Sequence, residues 1–249
     1  MAALDSDTHI NLNFIDMRKS IWVHLLMLVI CMSFAVEAGA QKHEFAYYKR
    51  YAKANSELPQ VTKKDKRVVF MGNSITEGWV IHRPEFFKEN PNYVGRGIGG
   101  QTSYQFVLRF REDVVKLNPK VVVINAGTND VAENTGPYNE ELTFGNIVTM
   151  VNIAKANKIK VILTSVLPAA RFGWHPHVTD APDKIISLNK RIEAYAKANK
   201  IPYVDYYKAL VDEDGRTLPK KYSNDGVHPL PDGYKVMENL IQPVIKKLL

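Results

Sequence analysis

Three residue types that together could carry out acyl transfer are spread over this chain at telling positions. Ser74 follows Val68-Val69-Phe70-Met71, an apolar run that stops at Gly72. A serine just past the carboxyl end of a buried strand sits where ligands bind in open α/β sheets. Read alone, it is as readily a turn residue or a helix cap. His228 lies three residues after Asp225 in Asp225-Gly226-Val227-His228-Pro229. At that spacing a carboxylate can hold imidazole Nδ1–H while Nε2 faces a hydroxyl, which is what a serine nucleophile needs. A plain Asp-Gly turn is the competing reading. The tetrahedral intermediate would also need donors aimed at its oxyanion. The Ser74 N–H, the N–H of Gly100 (unscreened by a side chain) and the Asn129 side-chain amide are the candidates. Separately each is ordinary; together they fill every role.

Positioning them requires strands that all deliver to one edge. Val68–Met71 reads as strand one, Tyr93-Val94 as a brief second, Val121–Ile124 as a third, Val161–Leu163 as a fourth and Tyr203–Asp205 as a fifth. Gly95 to Gly100 carries four glycines and marks a backbone that turns tightly. Helical spacing appears at Phe106, Val107, Phe110, Val114 and Leu117, with Thr102 or Ser103 as cap. It recurs over 139–157, where Leu142, Ile147, Val148, Val151 and Ala154 are expected inward. Further helices are expected over 183–199 and from Pro231, the last with Val236, Leu240, Ile241, Val244 and Leu248 buried. A helical lead-in is expected within 41–60. Strands alternating with helices imply a parallel sheet covered on both faces.

Four segments, in this order, resemble the blocks of the SGNH (GDSL) hydrolases: Gly72-Asn73-Ser74-Ile75, Gly99-Gly100, Gly127-Thr128-Asn129-Asp130 and Asp225-Gly226-Val227-His228-Pro229. The resemblance covers about residues 66–249. Its Gly-Ile-Gly-Gly-Gln-Thr and Gly-Thr-Asn-Asp segments are most similar to the branch holding platelet-activating-factor acetylhydrolase catalytic subunits and bacterial carbohydrate esterases. It implies a flavodoxin-like three-layer α/β/α sandwich around a central parallel sheet, and ester hydrolysis without metal or cofactor. It assigns Ser74 as nucleophile, His228 and Asp225 as the rest of a triad, and Ser74, Gly100 and Asn129 as the oxyanion hole. The chain departs from the family at Asn73, where Gly-Asp-Ser is usual; altered loop hydrogen bonding with retained activity is expected.

Composition adds a compartment. Arg18-Lys19, the apolar run Ile21–Val36 and Ala38-Gly39-Ala40 have the order of a secretory signal peptide. The run is shorter than the roughly 20 residues of a spanning helix. Translation from Met17, cleavage after Ala40, one domain over 41–249 and a secreted or periplasmic enzyme without a stable membrane anchor are expected. Cys31, the sole cysteine, would leave with the leader, so no disulfide is expected. The net charge of +7 rests on scattered lysines, with no nucleic-acid module evident. For substrate, the expected pocket walls are Trp79, Arg83, Trp174 and His175, with Phe172 and His177 nearby. A small-molecule or glycan ester is the expected partner; a metal at His175-Pro176-His177 is not expected for want of acidic or cysteine partners. Lysophospholipid or thioester hydrolysis at the same site, or glycan binding without catalysis, are the alternatives. Oligomeric state is left open.

Overall fold

The computed structural model describes residues 44–62 and 66–249, so the expected leader and its cleavage site lie outside the described residues. In the unit Ala46–Leu249, five strands form one sheet: β1 (Val68–Gly72), β2 (Tyr93–Gly97), β3 (Val121–Ile124), β4 (Lys160–Thr164) and β5 (Tyr203–Val204). All neighbours are parallel, in the order β2-β1-β3-β4-β5. This is the flavodoxin-like winding, with its switch point where β1 lies beside β3. The helices are α1 (Ala52–Ser56), α2 (Ser74–His82), α3 (Pro84–Glu89), α4 (Ser103–Asp113), α5 (Thr128–Val131), α6 (Glu140–Ala156), α7 (Ala181–Ala198), α8 (Tyr206–Leu210) and α9 (Pro231–Leu248).

Strand alternation splits the core in two. Val69, Met71, Val122 and Ile124 point to the face covered by α4, α6 and α7, through Phe106, Phe110, Ile147, Met150 and Leu188. Val68, Phe70, Val121 and Val123 point to the face covered by α2, α3 and α9, through Trp79, Phe86, Tyr234, Met237 and Ile241. Near-continuous apolar runs such as Val68–Met71 and Val121–Ile124 are what a sheet buried on both faces requires. The three-layer SGNH hydrolase fold expected from the sequence is the fold observed.

Several details differ from expectation. The inward stripe of α6 is Thr143, Ile147, Met150, Val151 and Ala154; Leu142 is exposed and Val148 only partly buried. Asn139 caps this helix by accepting the Leu142 N–H at 3.0 Å, which leaves Leu142 on the outer side of the first turn. In α9 the buried set is Tyr234, Met237, Ile241 and Ile245, while Leu240 is exposed and Val236, Val244 and Leu248 are partly buried. Among the described residues of the lead-in the α-helix is confined to the short α1, and Tyr47, upstream of it, adopts φ 55°.

Two close approaches fix the edge that matters. A Cβ on Gly97, at the end of β2, would lie 2.2 Å from Glu77 N and 2.5 Å from the Asn73 carbonyl oxygen. The loop after β2 is thereby pressed backbone to backbone against the first turn of α2. Beneath it, the fully buried Arg109 donates to the Gly72 carbonyl (2.9 Å), Gln101 Oε1 (2.6 Å) and Asp113 (2.9 Å). One guanidinium thus ties the end of β1 to the loop that follows β2. Desolvation lowers its pKa while Asp113 opposes the shift.

Candidate active site

Ser74 is the first residue of α2, and Asn73 Oδ1 caps that helix by accepting the Ile75 N–H at 3.0 Å. An aspartate carboxylate could accept the same N–H, so asparagine at position 73 supplies the helix cap that the family residue could supply. Ser74 Oγ lies 2.8 Å from His228 Nε2, across 154 residues of chain. His228 Nδ1 is 2.6 Å from Asp225 Oδ2. The other carboxylate oxygen accepts the N–H groups of His228 (2.8 Å) and Val227 (2.9 Å) and the Ser223 hydroxyl (3.0 Å). Gly226 makes this tight loop possible with φ 78°.

Partial burial would push the Asp225 carboxyl up. The N–H and imidazole of His228, with the Val227 N–H, outweigh it and hold the pKa at about 2. An ionised carboxylate only accepts, so the imidazole proton resides on Nδ1 and Nε2 is left to accept from Ser74 Oγ.

Gly100 follows the loop after β2 and has φ 74°, a left-handed conformation natural to glycine. The Gly99 N–H before it donates to Glu77 Oε2 at 2.9 Å. Asn129, in α5, donates from Nδ2 to the Gln101 carbonyl at 2.9 Å, leaving its second amide proton free of that bond. Its neighbour Asp130 accepts the Ser103 N–H at 3.0 Å as well as the Ser103 hydroxyl, closing the start of α4 onto α5. Burial raises the Asp130 pKa, with the Ser103 and Thr143 bonds opposing.

Ser74, Gly100, Asn129, Asn134, Trp174 and His228 line one cavity of about 250 Å³. The cleft beside β2, lined in part by Arg50, Glu77 and Arg96, is larger at about 400 Å³ but contains no nucleophile paired with a base. Size alone is therefore a poor guide here. In the smaller cavity, the arrangement can take a proton from a serine, return it to a leaving group and present an N–H to an oxyanion.

The expected walls divide. Trp174 is half exposed, tilted over His228 at 6.0 Å between ring centroids, and lines the cavity. Trp79 is a correction: it is 2% exposed, stacks on Phe86 and Tyr234, and donates to Glu238 at 3.1 Å. Arg83 is another, since its guanidinium is held by Glu238 and Glu85 at the far end of α2. A helix start at the active edge carries its next two turns away from that edge, and both residues go with it. His175 turns Nδ1 to the Ala132 carbonyl, His177 meets Glu133 at 3.2 Å, and Phe172 is fully buried. None of these three lines the cavity. Asn134 was missed by sequence reasoning. Its signal was its place five residues after Asn129, on the same turn.

This geometry has relatives. Residues 70–236 match the GDSL-like Lipase/Acylhydrolase family, and the chain belongs to that family. A GDSL-like lipase from Bacteroides thetaiotaomicron is 66% identical, with a TM-score of 0.81, covering 83% of this chain and 100% of that one. The lipoprotein YqeF of Bacillus subtilis is 25% identical over 70% of this chain and 87% of its own length. An acetylxylan esterase of Xylanibacter ruminicola is 25% identical over 76% of this chain, which spans 45% of that longer relative. The protein is an ester hydrolase.

Proposed function

We propose that the protein removes short acyl groups, chiefly acetyl, from carbohydrate esters outside the cytoplasm, through a Ser74-His228-Asp225 triad. The observation that carries this is the 2.8 Å contact of Ser74 Oγ with His228 Nε2 inside a cavity of about 250 Å³ under an exposed indole. Ser74 Oγ attacks the ester carbonyl while Nε2 takes its proton. The developing oxyanion is met by the N–H groups of Ser74 and Gly100 and the free amide proton of Asn129. The imidazolium, steadied by Asp225, then protonates the leaving sugar hydroxyl as the tetrahedral intermediate collapses to acyl-Ser74. Water, deprotonated by Nε2, repeats the sequence and releases the carboxylic acid.

Support for a sugar ester is twofold. The outer, solvent-open part of the Trp174 indole suits contact with a pyranose ring while its inner side lines the cavity, and an acetylxylan esterase is among the relatives. The leader-like sequence supports export. The test is acetate release from acetylated xylo-oligosaccharides, set beside a series of chromogenic esters of rising acyl length. Acetate release together with a preference for acetyl over octanoyl esters is expected. A preference for long acyl chains would favour lysophospholipid or thioester hydrolysis, and glycan binding without acyl release would favour a binding protein.

A further inference from the structure

Asn134 makes two side-chain bonds at once. Its Nδ2 donates to the Gly100 carbonyl at 2.9 Å, and its Oδ1 accepts the Trp174 indole N–H at 2.9 Å. From these we infer that Asn134 is a positioning residue that locks the wall of the acyl pocket to the oxyanion loop, and thereby sets the enzyme's preference for short acyl groups. The inference rests on the esterase reading above and deepens it.

The bridge is stiff at its root. Asn134 N–H donates to the Asn129 carbonyl at 3.0 Å, in a turn bent by Glu133 at φ 63°. The two asparagines of that turn therefore hold two successive carbonyls of the loop after β2, Asn134 that of Gly100 and Asn129 that of Gln101. On the other side Glu77 holds the Gly99 N–H. The peptide that carries the Gly100 N–H lies between these anchors, so its direction is set by Glu77 before it and Asn134 after it. An oxyanion donor must hold its aim through the reaction, because small displacements of catalytic groups cost rate steeply.

The second bond acts on size. Trp174 belongs to the long segment between β4 and α7 and is 41% exposed, so packing alone leaves its outer edge uncovered. The Asn134 carbonyl oxygen fixes the indole over His228 and closes the cavity on that side. Freed of that bond, the ring can swing outward and admit a longer acyl chain.

The experiment compares wild type, Asn134→Ala, Trp174→Phe and the double variant on p-nitrophenyl acetate and butyrate. Trp174→Phe keeps a ring but removes the N–H donor. Asn134→Ala should lower kcat on acetate about tenfold or more by releasing the Gly100 carbonyl. It should also raise the butyrate-to-acetate ratio of kcat/KM by about fivefold or more, since butyrate carries two extra methylenes and even one is worth ~10- to 200-fold in a fitted pocket. That ratio is independent of the active fraction, so a variant that is merely less well folded would leave it unmoved. In the Trp174→Phe background the Asn134→Ala substitution should change the ratio less than it does in the wild type, because the bond it would break to the indole is already gone. An unchanged ratio in Asn134→Ala, or multiplying effects in the double variant, would overturn the inference. A readout without substrate separates it from the esterase reading. The indole N–H proton resonance of Trp174, assigned by its loss in Trp174→Phe, should move upfield in Asn134→Ala. If it stays in place the bridge does not exist, whatever the activity; if wild type is inert on both esters, the esterase reading falls and takes the selectivity role with it.

Discussion

Asp225 grips His228 twice: one carboxylate oxygen accepts the ring Nδ1–H at 2.6 Å and the other accepts the backbone N–H of the same residue at 2.8 Å. Imidazole orientation is therefore fixed by a single side chain three residues away. Asparagine at 225 would offer an N–H₂ to Nδ1 and favour the wrong tautomer. Asp225→Asn should lower kcat/KM about 10²- to 10⁴-fold, with little change in fold by circular dichroism.

The same contacts govern pH behaviour. With its folded pKa at about 2, below the ordinary 3.8, Asp225 contributes stability above pH 3.8 that is lost as pH falls through the folded value. Above pH 4 this carboxyl is ionised throughout. Asp225 should therefore add no ionisation of its own to the pH–rate profile above pH 4. An ionisation near pH 4 that disappears in Asp225→Asn would contradict the assignment.

Asp130 obeys the opposite sign. Burial raises its folded pKa, so its protonated form is favoured in the fold, and the stability it contributes is lost as pH rises through that value. Asp130→Asn should flatten this part of the stability–pH curve while keeping an acceptor for the Ser103 N–H. Asp130→Ala leaves the Ser103 N–H and hydroxyl without their partner in the interior. It should destabilise by about 2–4 kcal/mol in urea titration, well beyond the asparagine variant.

At position 73 the cap decides the outcome. Asn73→Asp keeps an acceptor for the Ile75 N–H and should change kcat/KM by less than about threefold, whereas Asn73→Ala should cost about 1 kcal/mol of stability. A rise of several orders of magnitude in Asn73→Asp would mean that the family aspartate does something the cap does not.

Gly97 is predicted to be among the least substitutable positions of the chain. Its Cβ would strike the backbone of Asn73 and Glu77, which no rotamer can relieve. Gly97→Ala should cost about 3 kcal/mol or more, and thermal melting would show it.

The sheet, and the edge where the candidate site gathers, were legible because the strands announce themselves. Val121 to Ile124 can hardly be anything but a buried strand, and each chemical residue directly follows such a run or precedes the last helix. What sequence could not supply was phase and direction. Leu142 and Met150 are both apolar, yet Leu142 lies exposed in the first turn while Met150 is buried against the sheet. Trp79 and Arg83 lie near Ser74 in sequence, yet the helix that begins at the serine bears them into the core and to its far end. Arg109 gave no signal either, because a surface helix and a buried one can carry the same Arg and Asp four residues apart. Asn134 stayed hidden because its role needs partners 34 and 40 residues away.

The central claim is that Ser74 is the nucleophile, and hydrolysis of p-nitrophenyl acetate by the wild type beside Ser74→Ala tests it most directly. Turnover in the wild type and a fall of about 10³-fold or more in the variant, with acyl-enzyme trapped on Ser74 by mass spectrometry, is the predicted result. Equal turnover in both proteins would contradict it.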